Sequence, residues 1–131
     1  MFSGRCLCGG IRFSVKGELQ PIQLCYCADC RKAQGSPVAS NMPVDMANFE
    51  LHSGTELLRV YESSPGKERV FCSHCGSPVF SRKTSRPGVI RIRAGLMDEP
   101  LPVRPVFHQF VADKANWWTI DDDLPQYPAA P

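Results

Sequence analysis

Seven cysteines stand in three tight clusters along 131 residues, and no other feature constrains this chain as much. The clusters are Cys6-Leu7-Cys8-Gly9-Gly10, Cys25-Tyr26-Cys27-Ala28-Asp29-Cys30 and Cys72-Ser73-His74-Cys75-Gly76. A secreted disulfide scaffold favours an even count and a leader segment. Here the count is odd, and Met1-Phe2-Ser3-Gly4-Arg5 holds no apolar run of the kind a leader needs. Metal binding accounts for the spacing better. Two neighbouring thiolates can fill two corners of a tetrahedron around zinc, at about 2.3 Å from the ion.

The glycines say which pairs belong together. Gly9 follows the second cysteine of the first cluster, and Gly76 follows that of the third. Glycine there permits positive φ, so the backbone can turn around a metal and aim N–H groups at sulfur. The middle cluster has no such glycine. Cys6 and Cys8 are therefore expected to join Cys72 and Cys75 in a four-thiolate structural zinc site. Its binding energy would also be folding energy. Buried free thiols or a disulfide are the plainer alternative.

Cys25, Cys27 and Cys30 remain. Three protein ligands with a fourth position open is the arrangement zinc uses for catalysis. The next residues, Ala28–Gln34, read as a helical turn stopped by Gly35. Cys30 falls near the N-terminal end, where a thiolate is stabilised. A thiol entering the open position would be deprotonated at neutral pH. A redox switch, or a second structural site completed by a histidine, stays open for this trio. His74 lies between two ligands and is expected to face solvent, and His52 falls in a polar strand-like segment. His108 reads as an ordinary strand histidine or as a polar group beside the open site.

The remaining sequence is β-like. Ile11–Lys16 alternates apolar and polar residues. Further strand candidates cover 21–26, 37–44, 49–52, 56–62, 69–72, 78–82, 89–94 and 106–112, with turn signals such as Ser64-Pro65-Gly66 and Arg86-Pro87-Gly88 between them. The expected fold is mainly β: a single small domain over residues 1–131, made of short antiparallel strands with one short helical turn. A tail from about residue 113 to 131 is expected to be irregular and packed over the sheet. No apolar run approaches the ~18–20 residues needed to span a bilayer. No membrane association is therefore expected, and a cytoplasmic location is the default. A net charge of +2 and the lack of a basic–aromatic pattern argue against nucleic acid as a partner. The local basic groups Arg82, Lys83 and Arg86, and Arg91 with Arg93, fit a solvated sheet face or a docking surface for a small anion.

In order and spacing these motifs resemble the glutathione-dependent formaldehyde-activating enzymes and the related centromere protein V group. The resemblance is carried by Cys6-x-Cys8-Gly, Cys25-x-Cys27-x-x-Cys30 and Phe71-Cys72-x-x-Cys75-Gly76-Ser77. Pro105-x-x-His108, Trp117 and Asp122-Asp123-Leu124-Pro125-Gln126-Tyr127 extend it toward the C-terminus. It implies a zinc-stabilised β-tent-like fold and two zinc ions. A structural ion would sit on Cys6, Cys8, Cys72 and Cys75, and a catalytic one on Cys25, Cys27 and Cys30. The implied function is a zinc-dependent carbon–sulfur lyase-type reaction. A thiol such as glutathione adds to a small aldehyde such as formaldehyde, giving S-hydroxymethylglutathione, or the adduct is cleaved in reverse. A non-catalytic zinc-binding module, or a similar enzyme with a different small substrate, is the alternative. On the enzyme reading the partners are a small-molecule thiol and a small electrophile, and His108, Arg91 and Arg93 are candidates for holding the substrate.

Overall fold

Period-two alternation gives each strand one face to bury, and ten strands share out into two sheets in the computed structural model, which describes residues 1–131. The smaller sheet takes β1 (Phe2–Arg5), β2 (Arg12–Val15) and β5 (Phe49–Ser53), in the order β1-β2-β5. The larger takes β3 (Ile22–Cys25), β4 (Ala39–Asp45), β6 (Leu58–Ser64), β7 (Lys67–Cys72), β8 (Pro78–Lys83), β9 (Val89–Arg93) and β10 (Pro105–Gln109). Its order is β10-β3-β4-β9-β8-β7-β6. The one α-helix, α1, covers Ala28–Gln34, as its local signals predict, and Gly35 ends it in the left-handed region at φ 58°.

One face of the large sheet is apolar. Met42, Val44, Val70, Phe80, Ile90 and Ile92 pack there against Ile11, Phe13 and Val15 from the small sheet, forming one core. Each buried side chain of this kind contributes about 1.5–3 kcal/mol relative to exposure. The alternate residues of the same strands are polar. Ser81 stands between Arg69 and Arg91 in register, and Arg93 stands beside Asn41. This second face is the one that receives the middle cysteine cluster.

Three features depart from the pattern read along the chain. Strand β1 was not among the expected elements, because Phe2-Ser3-Gly4-Arg5 carries no alternation long enough to notice. It is a strand because Gly4 lies opposite Phe13, so closely that a Cβ on Gly4 would come within 2.5 Å of the Phe13 ring. The large sheet is not wholly antiparallel, since β10 runs parallel to β3. Alternation within a strand carries no information about direction. The tail runs along the outer edge of β10 rather than over a sheet face. The His108 N–H donates to the Pro125 carbonyl at 2.9 Å, and the Tyr127 N–H donates to the His108 carbonyl at 2.8 Å. A sheet edge that would otherwise be unpaired is thereby covered. No helix is long and apolar enough to cross a membrane.

Candidate metal centre

The first and third cysteine clusters meet at the seam between the two sheets. Cys6 and Cys8 lie in the β1–β2 connection; Cys72 ends β7 and Cys75 sits in the turn before β8. The four Sγ atoms lie within 4.8 Å of one another, with Cys6–Cys8 at 3.5 Å and Cys8–Cys72 at 3.9 Å. Sulfurs about 2.3 Å from a shared tetrahedral centre stand roughly 3.8 Å apart, so these separations suit one metal ion. All seven cysteines are free thiols. Gly9 and Gly76 take φ values of 76° and 80°, the conformations that let the two turns close. The N–H groups that reach sulfur come from Gly10, to Cys8 at 3.4 Å, and from Ile11, to Cys6 at 3.3 Å. The Gly76 N–H turns to the Cys72 carbonyl instead, and Ser77 Oγ takes up the sulfur contact, 3.2 Å from Cys75. That hydroxyl is the main reason the Cys75 thiol falls to a pKa of about 5.

The middle trio is built differently. Cys25 closes β3, Cys27 is the N-cap of α1 and Cys30 is buried in its first turn. Their Sγ atoms also lie within 4.8 Å of one another. Cys27 fills the position usually held by Ser or Asp: it is extended, at ψ 155°, and its sulfur accepts the Cys30 N–H at 3.3 Å. Both terminal nitrogens of Arg69 donate to the Cys30 sulfur at 3.8 Å. Cys30 is the member that ionises first. Hydrogen bonds from Cys25 and then Cys27 draw it down to about 2 against the opposing effect of burial, and the Arg69 charge helps. Cys25 is pushed up, by its contacts with Cys27 and Cys30 and by burial. Ala39 and Phe110 pack against the group. Phe110 does so from the left-handed region, φ 57°, a conformation that costs a bulky side chain about 1–3 kcal/mol.

Between the two ligand positions, Tyr26 points the other way. Its hydroxyl lies 2.8 Å from His108 Nδ1, and His108 Nε2 lies 2.9 Å from the Asp122 carboxylate. Tyr26 and His108 are both buried. In register His108 stands opposite Leu24 while Gln109 stands opposite Cys25, so Gln109 and not His108 shares the face of the trio. His108 is thus placed away from the open site, holding the backbone between the ligands through Tyr26. His52 is exposed, with Nε2 2.7 Å from Ser14 Oγ, and His74 is exposed.

A cavity of about 980 Å³ opens over the trio, and its lining is cationic: Lys67, Arg69, Lys83, Arg86 and Arg91 against Asp29 and Asp113. Of the candidates named from sequence, Arg91 lines this space, whereas Arg93 lies buried beneath it. Arg93 Nη1 donates to Asn41 Oδ1, and to Ser81 Oγ at 3.3 Å, while its Nε has no partner. Burial lowers the Arg93 pKa to about 10, and negative charge on Cys30 works in the opposite direction. Arg93 is thus a buried guanidinium with no carboxylate partner. Lys67 and Arg69 escaped the sequence reading. The available signal was their alternation on one strand, which repeats that of Arg91 and Arg93.

The sequence model of the glutathione-dependent formaldehyde-activating enzymes matches residues 1–113. The chain belongs to this family. All seven cysteines and the five cavity cations of this formaldehyde-activating family member lie inside the matched segment, whereas Asp122 lies beyond it. A Halomonas elongata protein that bears the family's name is 33% identical over 130 residues, covering 92% of this chain and 82% of its own. An uncharacterized lyase of Schizosaccharomyces pombe is 30% identical over 131 residues, covering 92% of this chain and 93% of its own. A solved Rhodobacter sphaeroides protein shares the fold, with a TM-score of 0.64 at 21% identity over 78% of this chain and 97% of that one.

Proposed function

We propose that this protein is a zinc-dependent enzyme of the carbon–sulfur lyase type, joining a thiol such as glutathione to a small aldehyde such as formaldehyde, or cleaving the adduct. The observation that carries this reading is the trio itself: three free thiols on the floor of a wide cavity, with no histidine or carboxylate completing the set. Family membership points the same way, and one relative is itself a lyase by name. Cys25, Cys27 and Cys30 would hold the catalytic zinc, and Cys6, Cys8, Cys72 and Cys75 the structural one. When bound at the trio, zinc supplies a Lewis acid that keeps an incoming thiol ionised at neutral pH. Around it, Arg69 and Arg93 offset the negative charge of the thiolates. Tyr26, tied to His108 and Asp122, keeps the Cys25–Cys27 backbone in place, and Asn41 and Gln109 offer neutral polar groups to a substrate on the cavity floor. Seven free cysteines suit a reducing compartment, and a cytoplasmic site of action is part of the proposal.

The test is adduct formation by the zinc-loaded protein with glutathione and formaldehyde. A rate above the spontaneous one is expected, falling to the spontaneous rate in Cys27→Ser. If wild type gives no excess rate, or if Cys27→Ser is as fast as wild type, the trio is not a catalytic centre for this pair.

A further inference from the structure

We infer that Lys67 is a nucleophilic amine, which captures a small aldehyde on the cavity wall and releases it beside the trio. The aldehyde as its target rests on the function proposed above; the nucleophile itself rests on how cations are placed around one side chain. Lys67 opens β7 directly after the β6–β7 turn, and in register it stands opposite Lys83. Arg69 follows two residues along the same strand, on the same face, and Arg91 lines the same cavity. No acid answers these charges. Glu68 faces the far side of the ladder, where its carboxylate lies 2.7 Å from Arg82 Nε. Asp29 and Asp113, the carboxylates of the cavity lining, form no ion pair with Lys67.

Like charges at this spacing disfavour the ammonium form of a lysine, and removal from water does the same. Both act on Lys67, which is half-buried, whereas Lys16, Lys32 and Lys83 are exposed. The fifth lysine, Lys114, donates to the Ala115 and Trp118 carbonyls. Burial first, and then Arg91, Lys83 and Arg69, lower the Lys67 pKa to about 8. A partly desolvated lysine among other cations keeps a share of free amine at neutral pH, and the free amine is the form that attacks a carbonyl. The turn before it fixes where that amine stands. Pro65-Gly66, with Gly66 at φ 76°, has the residue pattern of a type II turn. The Thr84 N–H donates to the Gly66 carbonyl at 2.9 Å, which ties the turn to the end of β8.

The chemistry is a reversible addition. The nitrogen lone pair of Lys67 attacks the carbonyl carbon, the π pair moves to oxygen, and the proton shed by nitrogen ends on that oxygen. The product is a carbinolamine. Loss of water from it gives an imine, and addition of water restores it. Collapse of the carbinolamine returns the C–N pair to nitrogen, which regains its proton, and the carbonyl is formed again inside the cavity. Lys67 lies two residues from Arg69, about 7 Å at the usual strand rise, and Arg69 touches the Cys30 sulfur. A flexible four-carbon stem spans much of that separation. The carbonyl carbon is thereby released within reach of a thiol held at the trio.

Capture is tested without relying on turnover. The zinc-loaded full chain is treated briefly, near neutral pH and with no thiol, with substoichiometric formaldehyde and cyanoborohydride. Reduction converts each imine into a methylated lysine, and peptide mass spectrometry locates it. Lys67 should be methylated about tenfold or more faster than Lys16 and Lys32, because an ordinary lysine, with a pKa of about 10.4, is almost wholly protonated there. Methylation of Lys67 no faster than that of Lys16 and Lys32 overturns the nucleophile. A second arm uses K67R, which keeps the charge and removes the amine, with circular dichroism and zinc content verifying its fold. In the glutathione–formaldehyde reaction its kcat should fall about tenfold with KM for glutathione unchanged. An unchanged kcat overturns delivery to the trio, even where Lys67 is trapped. If wild type gives no rate above the spontaneous one, the lyase reading falls, while the trapping still decides the amine.

Discussion

The two cysteine clusters use the same donor atom and surround it in opposite ways. At the seam of the sheets, four sulfurs sit on two turns and receive neutral donors: the backbone N–H groups of Gly10 and Ile11, and the Ser77 hydroxyl beside Cys75. Beside the cavity, three sulfurs end a strand and open a helix, and cations face them, with Arg69 on Cys30 and Arg93 buried nearby. Neutral donors surround a four-thiolate set whose own sulfurs bring together residues 64 positions apart, Cys8 and Cys72. Guanidinium groups offset the charge of a three-thiolate set while leaving one direction free. What surrounds the sulfurs differs more than their number, and on the function proposed above it separates a site that would hold the fold from one that would hold a substrate.

That contrast can be broken by mutation. Cys72→Ser should have the largest effect. Structural zinc contributes about 10–16 kcal/mol in small zinc domains, comparable to the roughly 5–15 kcal/mol net stability of ordinary domains, so the variant should not fold. Far-UV circular dichroism and zinc content would report it; a folded variant with an unchanged melting temperature would erase the distinction. Cys27→Ser should keep the fold, drop the zinc content from two ions per chain to one, and reduce the thiol–formaldehyde rate to background. An unchanged metal count there would deny the trio its ion. Arg69→Gln sharpens the comparison, since of the two sulfur sets Arg69 touches only the trio. Zinc affinity at that site should fall about 10–100-fold, the usual scale for groups that support metal ligands, while the seam site keeps its metal in chelator competition. His108→Ala should matter least to chemistry. Loss of the buried bonds to Tyr26 and Asp122 should cost about 1–3 kcal/mol in urea denaturation with both ions retained. Loss of the trio's zinc in that variant would show that Tyr26 does more than brace the backbone.

The parts of the site that were legible in advance depend on short-range signals. Helix α1 is capped within its own few residues, by Cys27 before it and Gly35 after it, so its limits could be read directly. The thiols of each cluster are spaced for one metal within a single turn, and the glycines after Cys8 and Cys75 distinguish the turns that wrap from the one that does not. The basic groups were visible as well, but not their destinations. Arg82, Lys83, Arg86, Arg91 and Arg93 read as one kind of patch along the chain. The fold sends Arg82 to a salt bridge with Glu68, buries Arg93, and leaves Lys83, Arg86 and Arg91 around the cavity. His108 shows the same limit. One position along β10 separates the face of the trio from the face of Tyr26, and only pairing with β3 says which residue is on which.

By itself the chain determined the cysteine clusters, their geometry within each turn, the helix that follows Cys27 and the alternation that makes its other elements strands. Local backbone preferences and ligand spacing act over a few residues and survive without knowledge of the rest. The tertiary structure alone decided that β10 runs parallel to β3, that the tail closes the β10 edge, and that Lys67, Arg69 and Arg91 converge on one side of the trio. Those outcomes depend on strand register. Register is set by how the apolar faces of distant segments pack together, and a shift of one residue would send every cation to the other face.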